Sequence, residues 1–176
     1  MSRLQVFCED DAASPIIATE NSEVIASTLR EIGVRFERWP TRETGDDVLA
    51  AYAQEIDMLK SEGGYQTVDV VSVAPDHPDR ATMRTKFLSE HTHAEDEVRF
   101  FVGGEGLFSL HHGGRVFDVL CTAGDLMSVP AGMKHWFDMG AAPCFAAIRL
   151  FVNPDGWVAA FTGDDISDRF PRHEPA

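Results

Sequence analysis

The chain has 176 residues, of which 44% are hydrophobic, and it carries a formal net charge of −14 at pH 7. This length suits one domain with its own hydrophobic core, and no apolar run approaches the ~18 residues of a membrane span. The acidity argues against a nucleic-acid partner, because binding to phosphates needs a basic face.

The amino terminus and the cysteines indicate the compartment. The first residues lack the long apolar segment of a signal peptide, which predicts a cytoplasmic protein with no membrane association. Cys8, Cys121 and Cys144 are odd in number and have no CxxC spacing. We therefore expect reduced thiols in a reducing compartment, with Cys121 and Cys144 buried and unreactive.

In chain order, the first half predicts strands that alternate with helices. Asn21 is a favourable N-cap for a helix that Gly33 ends, and the residues between them place apolar side chains at helical spacing. A second helix is predicted over residues 46–60, before the pair Gly63-Gly64. The predicted strands cover residues 4–7, 34–39 and 65–73, and residues 74–80 are expected to form a loop.

The second half predicts a barrel. From residue 87 onward, short apolar or alternating runs are separated by Gly, Pro and Asp at intervals of about ten residues, which is typical of a small antiparallel barrel or jelly roll. The sequence His111-His112-Gly113-Gly114 predicts a hairpin turn. The predicted strands cover residues 98–102, 106–111, 115–120, 125–129, 135–139 and 145–152.

No repeat, low-complexity segment or linker divides the chain, so we expect a single domain over residues 1–176. The predicted fold class is an all-β core with helical N-terminal additions. Residues 1–80 would form a helix-containing part packed on the barrel, residues 81–163 the barrel core, and residues 164–176 a polar tail that lies over the barrel or frays.

The segment around His91 carries the clearest chemical signal. Side chains two residues apart on a strand share a face, so a continuous strand would direct His91, His93 and Glu97 to the same side. His135 follows on a later predicted strand. An HxH pair alone is often a surface pair, but the carboxylate at matching parity and the later histidine favour a site for Fe, Ni, Mn, Cu or Zn.

Two motifs of the chain resemble those of the cupin superfamily. The first is His91-Thr92-His93-x3-Glu97-x6-Gly104, and the second is Gly124-x5-Pro130-x-Gly132-x2-His135. The chain departs from the usual pattern at Thr85, where the first motif begins with Gly, and at Met139, where the second often ends with Asn. Neither position is a metal ligand. The resemblance implies an antiparallel cupin jelly-roll barrel.

Longer strings resemble the acireductone dioxygenase family over about residues 87–166. These strings are residues 91–101, 135–140, 153–157 and 161–164. The resemblance implies that His91, His93, Glu97 and His135 bind one Fe(II) or Ni(II) ion per monomer. It also implies that the small-molecule substrate is 1,2-dihydroxy-3-keto-5-methylthiopentene, which reacts with O2 in methionine salvage. The iron form would yield formate and 4-methylthio-2-oxobutanoate, and the nickel form formate, CO and 3-methylthiopropanoate.

Two arginines are candidates for holding the substrate anion. Arg99 lies two residues beyond Glu97 and is therefore expected on the same inward face, where it would stabilise the substrate dianion; the alternative is a structural ion pair with Glu95 or Asp96. Arg149 lies inside an apolar run and is the second candidate inward cation, with a buried carboxylate pair as the alternative.

The methylthio tail of such a substrate needs an apolar slot. Phe87 and Phe137 share the parity of His91 and His135, and Trp157 and Phe161 would close the mouth, although aromatic residues are often simply core. By resemblance, Glu90 would assist metal incorporation and Asp96 would relay conformational change; alternatively, both are supporting or solvent-facing carboxylates. The remaining histidines are expected to face solvent: His77, His111, His112 and His173.

Other functions stay open at this point. One alternative is a non-catalytic cupin that binds a ligand or senses a metal, and another is a cupin dioxygenase or isomerase with a different substrate. We expect a monomer, because no long exposed apolar stripe stands out.

Overall fold

The computed structural model describes residues 1–155 and 157–174. Within them, eleven strands join in one sheet, and every pair is antiparallel. The strands are β1 (Arg3–Cys8), β2 (Ile17–Thr19), β3 (Arg35–Arg38), β4 (Thr67–Val73), β5 (His91–Thr92), β6 (Glu97–His112), β7 (Arg115–Thr122), β8 (Asp125–Val129), β9 (Lys134–Asp138), β10 (Phe145–Phe151) and β11 (Ala160–Phe161). The predicted β-rich antiparallel core is confirmed.

The long strand β6 belongs to both layers of the barrel. Its first part pairs with β8 and β10, and its second part pairs with β7 and β9. One layer therefore runs β3-β8-β6-β10-β4, and the other runs β11-β5-β9-β6-β7-β1-β2. Two separate strands were predicted here, over residues 98–102 and 106–111; the backbone bends between them without breaking the strand.

Gly104 is where β6 passes between the layers. It has a φ of +66°, and a Cβ atom at this position would lie 1.8 Å from the carbonyl oxygen of Cys144. The β10–β6 register shifts nearby, between Ala146 and Ala147. Only glycine satisfies both the positive φ and the close backbone approach, which gives a physical reason for the glycine at the end of the first motif.

The layer that contains β8 and β10 is covered on both faces. Phe101, Met127 and Ala147 face the interior of the barrel and belong to its main hydrophobic cluster. Their neighbours of opposite parity, Phe100 and Ile148 among them, pack against helix α3 (Ala53–Gly63) on the outside. Full burial of such side chains contributes roughly 1.5–3 kcal/mol each to the stability of the fold.

The first predicted helix is confirmed as α1 (Ser22–Arg30). The Asn21 side chain accepts hydrogen bonds from the backbone N–H groups of Glu23 (2.9 Å) and Val24 (3.2 Å), as expected of an N-cap. Ile25 and Leu29 are buried against the barrel.

The second predicted helix, over residues 46–60, is split into α2 (Val48–Ala51) and α3 at Tyr52. Tyr52 has φ −113° and ψ 22°, its ring packs edge-on against Phe100 at 5.2 Å, and its hydroxyl accepts from the backbone N–H of Arg42. These tertiary contacts outweigh the local preference for a continuous helix.

A fourth helix, α4 (Arg80–Leu88), was not predicted. Met83 and Phe87, which lie four residues apart, pack on the main cluster from this helix. Their helical spacing was the available signal. Thr85, at the position of the first motif's usual glycine, lies in this helix.

The tail lies over the barrel as far as residue 174. A 3-10 helix spans Ile166–Arg169, and Ile166 and Phe170 are buried with Phe7 and Trp136. Of the two alternatives predicted for the tail, packing is therefore the observed one; residues 175 and 176 lie outside the described residues, as does Gly156 of the family-like string 153–157.

Three predictions of exposure were wrong. Cys144 is exposed, although Cys121 is buried as expected. His111 and His173 do not face solvent: the side chain of His111 is 11% exposed, and His173 is buried. Both histidines are held by contacts with distant chain segments, which the local sequence does not reveal. In the described part of the chain, no helix is long and apolar enough to cross a membrane.

Candidate metal centre

The predicted ligands come from three strands and from the turn between the first two of them. His91 is the first residue of β5 and pairs directly with His135 of β9. Glu97 is the first residue of β6. The prediction of one continuous strand was wrong, because β5 ends at Thr92 and His93 lies in a turn. That turn is held from outside: the carbonyl oxygen of His93 accepts from the backbone N–H of Gly132 at 2.9 Å.

The histidines nevertheless converge. His91, His93 and His135 are buried, and each offers a nitrogen such that the three atoms lie within 4.8 Å of one another. Glu97 stands at the edge of this group, with its Oε2 at 3.2 Å from His93 Nε2 and 3.8 Å from His135 Nε2. The turn thus achieves the convergence that strand parity was expected to give.

All three rings are oriented by backbone carbonyls. The Nδ1 atoms of His91, His93 and His135 lie 2.7, 3.1 and 2.8 Å from the carbonyl oxygens of three other residues. A carbonyl accepts only, so each Nδ1 carries a proton, and in a neutral ring Nε2 then keeps its lone pair. This is the usual arrangement for histidines that bind a metal through Nε2. The three carbonyls belong to Ser89, Val158 and Met133.

Among the residues that the structure describes, two buried polar atoms of the centre have no hydrogen-bond partner. They are Oε2 of Glu97 and Nε2 of His135, and both face the space between the ligands. A buried unpaired acceptor is costly, so two of them side by side need a common partner. Three imidazoles and one carboxylate fit a first-row divalent ion, which would satisfy both atoms.

The electrostatics of the centre favour ligand forms that bind metals. Burial lowers the pKa of His135 to about 3 and also lowers the pKa of His91, so both rings are neutral at physiological pH. Burial by itself would raise the pKa of Glu97, but the positive charge of Arg99 and the contact with His93 outweigh it. The pKa of Glu97 therefore lies well below its ordinary value, and the carboxylate is ionised.

Arg99 faces inward, as its parity predicts. Its Nε donates to Oε1 of Glu97, so its carboxylate partner is Glu97, and the predicted alternative partners Glu95 and Asp96 bond elsewhere. The guanidinium lies 5.2 and 5.1 Å above the rings of Phe108 and Phe137. These contacts hold one buried positive charge beside the ligands and over an apolar floor.

A cavity of about 70 Å³ opens beside the ligands, with room for a few water molecules. Larger depressions of 380 and 500 Å³ lie elsewhere, but neither is lined by His91, His93 or His135. The cavity is therefore identified by its chemistry and not by its size. Its lining consists of Lys86, Phe87, His91, His93, Arg99, Arg149, Trp157, Ala159 and Phe161.

The aromatic residues predicted for the pocket occupy different depths. Phe87 lines the cavity from the last turn of α4, so its position does not follow from the strand parity on which it was predicted. Phe137 is buried beneath, 6.3 Å from the ring of Phe87. Trp157 and Phe161 line the outer side and are 52% and 53% exposed. Residues 157–162 are hereafter the mouth segment.

Arg149 reaches the cavity and also forms an ion pair. Its guanidinium donates to both oxygens of Asp69 at 3.0 and 2.7 Å, across the β10–β4 register. Arg149 therefore lines the cavity, and its carboxylate partner Asp69 is half-exposed and not the buried carboxylate of the alternative. Arg149 is also the register partner of Arg99 on β6, which places two cations side by side at the cavity.

The two auxiliary carboxylates have distinct surroundings. Glu90 is buried, which rules out a solvent-facing role, and its oxygens contact His111 and Thr162. Asp96 is exposed and accepts from the backbone N–H of Ala131 at 2.8 Å, which helps to hold the turn that carries His93. In the part of the chain that the structure describes, neither Glu90 nor Asp96 contacts a ring nitrogen of the three clustered histidines.

The sequence reasoning missed Lys86, His111 and Thr162. Lys86 precedes Phe87 at the end of the unpredicted helix α4, so its place at the cavity could not be inferred. His111 is the last residue of the predicted strand 106–111 and was assigned to solvent because the predicted hairpin turn begins there. The available signal for Thr162 was its place in the family-like string 161–164, which carried no assigned role.

Comparisons with known proteins agree with this centre. The model of the ARD/ARD' family matches residues 5–159. The chain is 57% identical to an acireductone dioxygenase from Synechococcus sp. and 58% identical to one from Pseudomonas aeruginosa, in each case over 97% of this chain and 98% of the relative. It is similar to the solved acireductone dioxygenase from Bacillus anthracis, which has a cadmium ion in its active centre, with a TM-score of 0.79 and 31% identity over 92% of this chain and 98% of that one. This structural match confirms the predicted cupin barrel.

Proposed function

The chain belongs to the acireductone dioxygenase family and is a metal-dependent dioxygenase of methionine salvage, and we propose that His91, His93, Glu97 and His135 together bind its metal, one Fe(II) or Ni(II) ion per monomer. The observation that carries the ligand assignment is the pair of buried, unpartnered atoms, Glu97 Oε2 and His135 Nε2, which face the same space. When bound, such an ion acts as a Lewis acid toward the enediol oxygens of the substrate and favours their ionised form.

Arg99 is proposed to stabilise the anion of the substrate. A reductone enediol is acidic, so the molecule arrives with negative charge or acquires it in the site. The Arg99 guanidinium is fixed by Glu97 and by two aromatic rings, so it needs no reorganisation as the negative charge develops. Arg149 and Lys86 add positive charge at the cavity wall.

The apolar wall is proposed to receive the methylthio tail. Phe87, Trp157 and Phe161 line the cavity, and Phe137 supports it from below. The cavity of about 70 Å³ is small beside the roughly 300–1,000 Å³ of typical ligand pockets. The exposed mouth segment is therefore expected to shift outward when the whole substrate binds. Glu90 and Asp96 are proposed to support this site from outside the ligand set.

The loaded metal is proposed to decide the products. The iron form would yield formate and 4-methylthio-2-oxobutanoate, and the nickel form formate, CO and 3-methylthiopropanoate. Both product sets contain the two oxygen atoms of O2. We also propose that the protein is a cytoplasmic monomer that acts on a small molecule and has no nucleic-acid or membrane partner. Residues 1–176 would form one domain, with its helix-containing part over residues 1–80, its barrel core over residues 81–163 and its tail over residues 164–176.

The test is product analysis of the same protein loaded with each metal. Apoprotein is reconstituted with Fe(II) or Ni(II), and acireductone is added without oxygen and then with oxygen. We expect CO from the nickel form and 4-methylthio-2-oxobutanoate from the iron form. The same products from both forms would contradict the metal-dependent outcome, and no oxygen uptake by either form would contradict the substrate assignment. Family membership at this identity argues against the alternatives of a non-catalytic cupin or a different substrate.

A further inference from the structure

The mouth segment is not held in place by burial. Trp157, Val158 and Phe161 are 52%, 53% and 53% exposed. Side chains this exposed gain little from the hydrophobic effect, so the position of the segment depends on its hydrogen bonds. Because Trp157 and Phe161 form the outer wall of the cavity, whatever fixes the segment also shapes the site.

One end of the mouth segment is attached beside the metal ligands. Strand β11 pairs with β5 at only two register positions, and one of them joins Phe161 to His91. A pairing this short is weak by itself. Thr162 prolongs it: its backbone N–H donates to the carbonyl oxygen of Glu90 at 3.1 Å, and its hydroxyl donates to Glu90 Oε1 at 2.7 Å.

The other oxygen of Glu90 is bound to the rigid sheet. His111 Nδ1 donates to Glu90 Oε2 at 2.7 Å, and the Glu90 carboxylate is fully buried. His111 lies in β6, where it pairs with Val116 of β7 and with Lys134 of β9. Its second nitrogen, Nε2, contacts Glu9 at 3.0 Å, so the ring is fixed on both sides.

These contacts form a chain from the centre of the sheet to the rim of the cavity. We propose that His111 and Thr162 are positioning residues: His111 fixes the Glu90 carboxylate, Glu90 fixes Thr162, and Thr162 holds Phe161 against the site. One oxygen of Glu90 faces the rigid sheet and the other faces the mouth segment, so the carboxylate links their positions. The consequence for substrate affinity rests on the proposed function, whereas the consequence for the mouth segment does not.

The first test is hydrogen–deuterium exchange of the metal-loaded full chain. Thr162→Val removes the hydroxyl at an exposed position and keeps the side-chain shape, so it does not threaten the fold. We expect amide exchange in residues 157–163 to rise by roughly ten- to a hundredfold, the range that corresponds to one lost hydrogen bond to a charged group. Thr162→Ser should restore the wild-type rate.

His111 is tested with a matched neighbour. His111→Leu should increase exchange in the same residues, and His111→Asn, which keeps a donor near the place of Nδ1, should reverse part of that increase. His112→Leu is the control, because His112 is exposed and follows His111 directly. Equal effects of the two leucine variants, or wild-type exchange in Thr162→Val, would overturn the proposal.

The second test separates binding from turnover. Thr162→Val retains every proposed ligand, so its metal content should equal that of the wild type. The KM for acireductone is expected to rise about tenfold with kcat little changed, because the outer wall binds the substrate tail and does not take part in bond cleavage. An unchanged KM would contradict the positioning role. If the wild-type protein did not consume acireductone, the proposed function would fail. The exchange test would still decide whether His111, Glu90 and Thr162 position the mouth segment.

Discussion

Each imidazole of the metal centre has one nitrogen on a backbone carbonyl and the other directed toward the common space. The rings are therefore oriented by the protein before an ion arrives, which reduces the ordering cost of binding. The negative charge of Glu97 is balanced by Arg99 on the next inward position of the same strand. At this scale, the chemistry depends on a few polar side chains inside an apolar barrel.

Replacement of Arg99 by alanine tests its role toward the substrate. Because the four proposed ligands remain, Arg99→Ala should keep its metal, while kcat/KM should fall by about a hundredfold or more through loss of a fixed charge. Metal content and steady-state kinetics measure the two effects. Arg35→Ala is the control, since Arg35 also pairs with a glutamate two residues away but does not line the cavity. Turnover of Arg99→Ala at the wild-type rate would leave Arg99 a structural role only.

Asp118 makes stability depend on pH. Burial raises its pKa from 3.8 to about 7, although the Ser109 hydroxyl donates to it at 2.6 Å. Between these values the folded protein keeps the proton and the unfolded chain does not, so stability falls as pH rises. The loss attributable to Asp118 is roughly 1.4 kcal/mol per pH unit within this window and is complete above its upper end.

Asp118→Asn should remove this dependence. The variant is expected to gain stability relative to the wild type as pH rises from about 4 to 7, by an amount on the order of 2–4 kcal/mol. Urea unfolding at a series of pH values measures the difference between the two proteins, which removes the contribution of other groups. A difference that does not change with pH would show that Asp118 titrates normally.

At the scale of elements, the site depends on how β6 crosses between the layers. This strand begins at the proposed ligand Glu97, carries Arg99 inward, bends at Gly104 and ends near His111. A ligand on a long, doubly paired strand is held more precisely than a ligand on a loop. The one proposed ligand outside a strand, His93, is instead held by a backbone hydrogen bond from the loop at Gly132.

Gly104→Ala tests the bend. The new Cβ would lie 1.8 Å from a carbonyl oxygen, and the φ of +66° is strained for alanine, so the unfolding free energy should fall by about 3 kcal/mol or more. Gly113→Ala is the control: it has a similar φ of +59° but no atom within 4 Å of the added Cβ, and should cost only about 1 kcal/mol. Chemical denaturation measures both. Equal losses would show that the close approach at Gly104 is unimportant.

At the scale of the whole molecule, two properties matter: how charge is distributed and how a bound metal ion would connect the strands. The chain has a net charge of −14, yet Lys86, Arg99 and Arg149 line the cavity beside the ligands. Local positive charge in an acidic protein concentrates an anionic substrate at the site and leaves the rest of the surface repulsive to anions. The ion would add a link between β5, β6 and β9, where β9 is otherwise joined by backbone pairing to β5 at one register position and to β6 at five.

Removal of the metal should therefore lower the stability of the entire fold. An ion at a hundred times its Kd adds about 2.7 kcal/mol, which corresponds to roughly 5–10 °C in Tm for a domain of this size. Calorimetry of the chelator-treated and reconstituted protein measures the shift. His93→Ala, which lacks one proposed ligand, should lose both metal and turnover and show little shift on addition of metal. A metal-independent Tm for the wild type would argue against an ion shared by these strands.

The sequence by itself determined the antiparallel barrel, the cap at Asn21, the inward face of Arg99 and the family, because periodicity and long motifs are local properties of the chain. Only the tertiary structure decided what depends on distant partners. It split the second helix at Tyr52, brought the end of α4 to the cavity, and buried Glu90 between His111 and Thr162. The physical reason is that a buried polar side chain bonds to the partner that the folded barrel places beside it. His111 and Thr162 are 21 and 72 positions away from Glu90 along the chain, so they become its neighbours only when the sheet has closed.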